Sequence, residues 1–131
     1  MTSLPASHAD ILAKPAFAHL CTLMPDGSPQ ASPVWVDTDG DFVIVNSAAG
    51  RVKDRNMRND PRVAVSVCDP ANPYRALMIR GTVVDVTTEG ADAHIDTMAK
   101  KYMGVDRYPY RQPGEVRVLY RIRVDRVSAM G

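Results

Sequence analysis

Two cations stand where a helix least needs them. The stretch Phe42 to Pro61 reads FVIVN, then SAAG, then RVKDRNMRNDP. This is an apolar strand, a loop of small residues, and a helical segment whose first turn carries Arg51 and Lys53. The N-terminal N–H groups of a helix already supply roughly half a positive charge, so cations favour its other end. An anion, most simply a phosphate, relieves the conflict where the free N–H groups and both basic side chains converge. The cradle so defined comprises Asn46, Ser47, Ala48, Ala49, Gly50, Arg51, Val52, Lys53 and Asn56. Small residues admit a ligand to the backbone, arginine offers a planar fork to phosphate oxygens, and lysine adds a point charge. The plainer alternative is that Arg51, Arg55, Arg58 and Arg62 form only the solvated face of a helix.

Beside this stretch in strand order runs Ser32-Pro33-Val34-Trp35-Val36, with the only tryptophan. A lone tryptophan is ordinarily a core or interface aromatic; functionally, the strand could wall a flat heterocycle, with Ser32, Val34 and its carbonyls meeting ring heteroatoms. Tyr74 and Arg75 stand at the mouth of a later strand and could close over a ligand. Other chemistry is poorly provided for. His8, His19 and His94 have no partner at metal-ligand spacing, and no HExxH or paired CxxC occurs. GxSxG, Walker and GxGxxG patterns are missing too, so no metal site and no covalent hydrolase is expected. The two cysteines, Cys21 and Cys68, lie in apolar runs and read as reduced core thiols.

The elements that must position these residues follow from periodicity. A short helix through Ile11 and Leu12, capped by Ser7 or Asp10, is stopped by Pro15. Ala16 to Met24, Gln30 to Val36 and Phe42 to Val45 read as three strands of a meander, with turns at Pro25-Asp26-Gly27-Ser28 and Asp37 to Asp41. Valine alternates through Arg62 to Val67, and Arg75 to Thr87 forms a long strand in which Gly81 permits a bulge. Ile95, Met98, Ala99 and Tyr102 fall on one helical stripe between Gly90 and Met103. Gly104 to Gly114 is a loop, and Val116 to Val124 a half-buried strand with a basic outer face. The pattern predicts one domain over residues 1–131, mainly β with inserted helices, as an antiparallel barrel of six to seven strands.

Sixteen basic against fifteen acidic residues give a formal charge of +1, which provides no field for nucleic acid or anionic membrane. No run approaches the roughly 20 apolar residues of a membrane span, and MTSLPASHADILAKP lacks the form of a signal peptide. The expectation is a soluble, cytoplasmic protein. A sheet this small with a basic exterior can complete its burial against a second copy.

The order DGSPQASPVWVD, FVIVNSAAGRVKDRNMRNDPRVAVSV, NPYRALMIRGTVVDVTTEGADAHIDTMAKKYMG, YRQPGEVRVLYRIRVDRV resembles the pyridoxamine-5′-phosphate-oxidase-like split-barrel superfamily. It is most similar to the small deazaflavin-dependent reductases that use coenzyme F420. The resemblance spans about Ala16 to Val127, and RxKxRNxxxDPR from Arg51 to Arg62 is its most specific part. It implies a split β-barrel of the FMN-binding type, assembled as a homodimer with cofactor sites at the interface. It further implies that Arg51, Lys53 and Asn56 hold the cofactor phosphate, with Ser32, Pro33, Val34 and Trp35 beside the ring system. Asn46, Ser47 and Ala48 would lie near the ribityl and phosphate portion, and Tyr74, Arg75 and Ala76 would border the cofactor. The chemistry implied is hydride delivery from C5 of the reduced deazaflavin to an electron-poor small organic acceptor, with F420 as cofactor and FMN as the alternative. Tyr74, Tyr108, Tyr110 and solvent stay open as proton donors, and no catalytic residue is assigned. The C-terminal arginine and histidine pattern of true pyridoxamine phosphate oxidases is missing from YRIRVDRVSAMG. The competing readings are an FMN-binding oxidase of the same fold and a non-catalytic carrier of a flavin or tetrapyrrole.

Overall fold

The computed structural model describes residues 2–131. The elements are α1 (Asp10–Ala13), β1 (Ala18–Leu23), β2 (Pro29–Val34), β3 (Asp37–Asp39), β4 (Phe42–Ala48), α2 (Val52–Asn59), β5 (Arg62–Asp69), β6 (Asn72–Thr87), α3 (Ala91–Met103) and β7 (Arg117–Met130). All strand pairings are antiparallel, in one seven-stranded sheet of order β2-β1-β5-β6-β7-β4-β3. The outermost strands, β2 and β3, are separated in sequence by Trp35 and Val36 alone. Two residues reach about 7 Å, so the sheet must roll until its edges nearly meet. That is a split barrel, and Trp35 sits on the seam.

Alternation builds the interior. Val63, Val65 and Val67 of β5, Val43 and Val45 of β4, and Val118, Tyr120, Ile122 and Val124 of β7 point into one apolar cluster with Leu20, Leu77 and Ile79. The same period turns Cys21 and Cys68 outwards, so the expected core thiols are half-buried and exposed respectively. Prolines 29 and 33 are tolerated because β2 is an edge.

Several boundaries differ from the sequence reading. The second strand stops at Val34, and Asp37–Asp39 is a strand of its own, reversing through Gly40 at φ 61° into β4. Strand β6 starts at Asn72, taking in Pro73 and Tyr74, because β5 and β6 join through a tight turn at Pro70 and Ala71. Strand β7 runs on to Met130, paired along β6. Helix α1 has no side-chain cap; Ser7 Oγ instead meets His8 Nδ1 at 2.7 Å, and Asp10 pairs with Arg75. The apolar stripe of α3 is as expected, with Ile95, Met98 and Ala99 buried. Among the described residues no helix is long and apolar enough to cross a membrane.

Gly81 does mark a bulge. Register with β7 slips between Arg80 and Gly81, leaving Asp125 unpaired. A Cβ on Gly81 would lie 2.6 Å from the Arg123 carbonyl oxygen and 2.7 Å from Ile122 Cγ2, so close approach of the backbone, not a positive φ, demands glycine here. Gly81→Ala should therefore lower unfolding free energy by about 1–3 kcal/mol, read as an earlier denaturant midpoint. An unshifted midpoint would mean that β7 moves aside freely.

Candidate functional site

At the barrel seam β2, β4, the start of α2, α3 and the loop after α3 enclose a cleft of about 200 Å³. Arg51, Lys53 and Arg117 all reach it. Arg51 is the N-cap residue of α2, extended at φ −67° and ψ 158°, and its side chain is not used as a cap. Gly50 precedes it at φ 89°, a left-handed conformation that glycine adopts without penalty.

A buried carboxylate makes this geometry possible. Asp54, in the first turn of α2 and 3% exposed, accepts hydrogen bonds from Gly50 N–H at 2.9 Å, from Arg58 Nε at 3.0 Å and from the Tyr120 hydroxyl. Burial works to raise its pKa, but these donors outweigh burial and hold the carboxyl below its usual range. Burial, with Asp54 next, pushes the Tyr120 phenol well up. Asp54 thus answers the helix N-terminus from the core side, and the cations can face away.

The cleft side has little such compensation. Lys53 Nζ donates to Ser32 Oγ at 3.2 Å, a neutral partner. Burial first, then the charges of Arg51 and Arg117, hold its ammonium below the usual lysine value. Arg51 stands 3.8 Å from Glu115. Arg117 is 4% exposed and held on three sides: Nε donates to Asn46 Oδ1 at 3.0 Å, a terminal nitrogen meets Glu115 at 2.8 Å, and the guanidinium lies 5.1 Å from the Tyr108 ring centroid. Arg51 and Arg117 share the Glu115 carboxylate, while the partner of Lys53 is a neutral hydroxyl.

The opposite wall is aromatic. Trp35 stacks on Tyr102, with centroids 5.0 Å apart and planes 8° from parallel, and meets Tyr108 edge-on at 5.9 Å. Tyr102 is anchored in turn, accepting from Val36 N–H and donating to the Ala16 carbonyl. Tyr108 packs edge-on to Tyr110 at 5.8 Å. Their loop is pinned to α3, since Tyr108 N–H and Arg111 both donate to Asp96 and Arg111 also reaches Asp92.

The expected site residues divide accordingly. Pro33, Val34, Trp35, Asn46, Arg51 and Lys53 line the cleft, and Ser32 touches it through Lys53. Lys53 is half-buried. Asn56 does not belong. It is 2% exposed, and its amide donates to Thr22 Oγ1 at 3.0 Å and Met24 Sδ at 3.2 Å, so it braces α2 on β1. Ser47 and Ala48 are buried, with Ser47 on the core-facing parity of β4, and Val52 is partly exposed without lining the cleft. Tyr74, Arg75 and Ala76 lie on the far end of β6, where Tyr74 is 79% exposed and Ala76 buried. Arg75 is tied to Asp10, Asp69 and the Ser7 carbonyl. Sequence reasoning missed Phe17, Ile95 and Arg117 as lining residues. Arg117 is brought there by its pairing with Ala48, which the sequence pattern does not disclose.

Residues 4–131 match the pyridoxamine 5′-phosphate oxidase family. Among solved structures, the chain is similar to an F420 reductase at 33% identity and TM-score 0.84, covering 95% of this chain and 98% of that one. A conserved hypothetical protein from Mycobacterium tuberculosis shares 22% identity at TM-score 0.76, covering 99% and 86%. General Stress Protein 26 from Bacillus anthracis shares 17% at 0.68, covering 94% and 90%. The last two are likenesses of fold. Comparison with curated proteins finds no match.

Tyr120→Phe should isolate the carboxylate's role. Because the folded-state value of Asp54 is depressed, its stabilising contribution is complete above the unfolded value of about 3.9 and is lost as pH falls through the folded one. Without the phenol the folded value rises. The variant should lose about 1–3 kcal/mol, and its acid-unfolding midpoint should move to higher pH in a circular-dichroism titration. An unchanged acid limb would show that Asp54 does not depend on Tyr120.

Proposed function

We propose, because this chain belongs to the pyridoxamine 5′-phosphate oxidase family, that its cleft binds the phosphate and ring of a flavin-type cofactor and that it is an F420-dependent oxidoreductase. The observation that carries the reading is the convergence of Arg51, Lys53 and Arg117 on one cleft with Glu115 as the acid among them. Choice of the deazaflavin over FMN is supported by likeness to the F420 reductase at 33% identity.

The residues fit such a group. Arg51, Lys53 and the free first-turn N–H groups of α2 would hold its phosphate, and Arg117 supplies a pre-set guanidinium. Trp35, Tyr108 and Tyr110 give an apolar, flat-sided wall for a ring system. When bound, the deazaflavin supplies a hydride from C5 to an electron-poor small organic acceptor. The chain's own part is orientation and charge: the basic cluster stabilises negative charge developing nearby, and the aromatic wall excludes water. Tyr108 and Tyr110 are the hydroxyl groups of the cleft that could donate a proton. Tyr74 is too remote within one chain to share that task.

A cleft of about 200 Å³ is small beside the roughly 300–1,000 Å³ of pockets that enclose drug-sized ligands. The proposal therefore includes a homodimer whose second copy completes the site, and exposed Tyr74, Met78 and Met130 on the sheet are apolar surface available for burial. Sedimentation at micromolar concentration should give twice the chain mass; a monomer would remove this part.

Optical titration of the purified protein with the deazaflavin and with FMN tests the cofactor. Tighter binding of the deazaflavin is expected, and a preference for FMN would overturn the F420 reading. Lys53→Ala should weaken cofactor affinity by about tenfold with unchanged far-ultraviolet circular dichroism. Equal affinity in a folded variant would remove Lys53 from the phosphate site.

A further inference from the structure

Arg117 is steered by a chain of hydrogen bonds that starts outside the cleft. A guanidinium only donates, so the Asn46 atom 3.0 Å from Arg117 Nε is the carboxamide oxygen. The amide nitrogen of Asn46 is thereby turned to α3, where its two hydrogens serve the Ala91 carbonyl at 2.9 Å and His94 Nδ1 at 3.1 Å. Nδ1 must then carry a lone pair. The ring's single proton lies on Nε2 and is donated to Asp37 Oδ2 at 3.0 Å. Each polar atom of the Asn46 side chain has a partner, and the contact with Nδ1 requires the neutral, Nε2–H form of His94.

We propose that His94 is a positioning residue for anion binding: neutral, it locks Asn46 so that Arg117 is held over the cleft, and protonated, it releases that lock. A proton on Nδ1 would set two N–H donors against each other across 3.1 Å. Rotating the carboxamide would satisfy His94, but it would turn the amide towards Arg117 and strip the Ala91 carbonyl of its donor. Once rotated, Asn46 no longer accepts from Arg117 Nε, and of the two side-chain acceptors only Glu115 still holds the guanidinium. Asp37, across the ring, keeps its partner in both states, so the strain falls on the Asn46 side. Histidine is the side chain that changes charge near neutral pH, which makes anion affinity fall on acidification.

The other charged groups around the imidazole are Asp39 of β3, Asp85 of β6 and Arg121 of β7, with Asp39 and Arg121 paired to each other at 2.8 Å. Lys101 of α3 acts on Asp37 from further off and is occupied by the carbonyls of Leu12 and Val36. None of them contacts Asn46. Lys53 gives the opposite slope, since it loses charge towards alkaline pH.

The inference rests on the anion-binding reading of the cleft. Inorganic sulfate, which stays dianionic across the range, is the probe that separates the two. Its dissociation constant is measured by calorimetry between about pH 5.5 and pH 8 on the wild-type protein and on His94→Asn, whose side-chain oxygen can accept from Asn46 but cannot titrate. Wild-type affinity should drop by about tenfold at the acid end, while the variant stays flat within about twofold. Equal slopes in both proteins, or tighter wild-type binding in acid, would overturn the role of His94 and leave the cleft reading standing. Failure of sulfate to bind at any pH would overturn both. Should the variant not fold, nitrogen-15 imidazole spectra of the wild type at pH 8 decide: the Nε2–H tautomer at His94 is required, and the Nδ1–H tautomer would sink the proposal.

Discussion

A buried carboxylate at the front of a helix fixes the layout of this protein's cleft. Asp54 is nearly out of contact with solvent, and an unpaired charge there would cost several kcal/mol. Its acceptors are met by one backbone N–H, one guanidinium and one phenol, and each donor constrains a different element. Gly50 must take the left-handed conformation that brings its N–H round, which sets the angle between β4 and α2. Arg58 must lie one turn along α2. Tyr120 must stand beneath the helix, which fixes the register of β7 and therefore places Arg117 three residues earlier beside Ala48.

The same carboxylate changes what the basic helix start means. Read as a sequence, Arg51 and Lys53 oppose the helix dipole and call for an external anion. In the fold, Asp54 supplies a negative group at that end from the interior side, so the dipole alone no longer demands a ligand. The demand comes from elsewhere: a third cation, Arg117, enters the same space from the sheet. The anion-binding proposal therefore rests on a tertiary observation.

What the chain discloses locally and what it withholds follow one division. Alternation in β5 and β7, the stripe on α3 and the slip at Gly81 are written in short-range patterns, and the structure repeats them. Asn46, Arg51 and Lys53 come together because strand end, loop and helix start are neighbours in sequence, and Ser32 to Trp35 joins them through strand order. Asn56 is less legible, because its parity on an eight-residue helix says only that it faces inward or sideways. Whether a polar side chain there meets ligand or protein depends on Thr22 and Met24, more than thirty residues away. Arg117 was taken for a solvated face because period two cannot tell an outer surface from a covered one. Tyr74 and Arg75, read from their place at a strand mouth, and Ala76, from the resemblance, stand apart from the cleft within one chain.

The three cations are not equivalent, and the difference bears on how such a site can bind. Arg117 is immobilised by a carboxamide, a carboxylate and an aromatic face, so little side-chain entropy remains to be lost when a ligand arrives. Lys53 has a single neutral partner and Arg51 a distant one, so both can adjust. A fixed guanidinium gives direction, and two adjustable cations accommodate the oxygens around it. Burial first, and then the repulsion from Arg51 and Arg117, holds the Lys53 ammonium below its usual value. An incoming anion turns that repulsion into attraction on all three at once. The cleft is thus preorganised by one fixed guanidinium, with Glu115 offsetting part of the like charge around it.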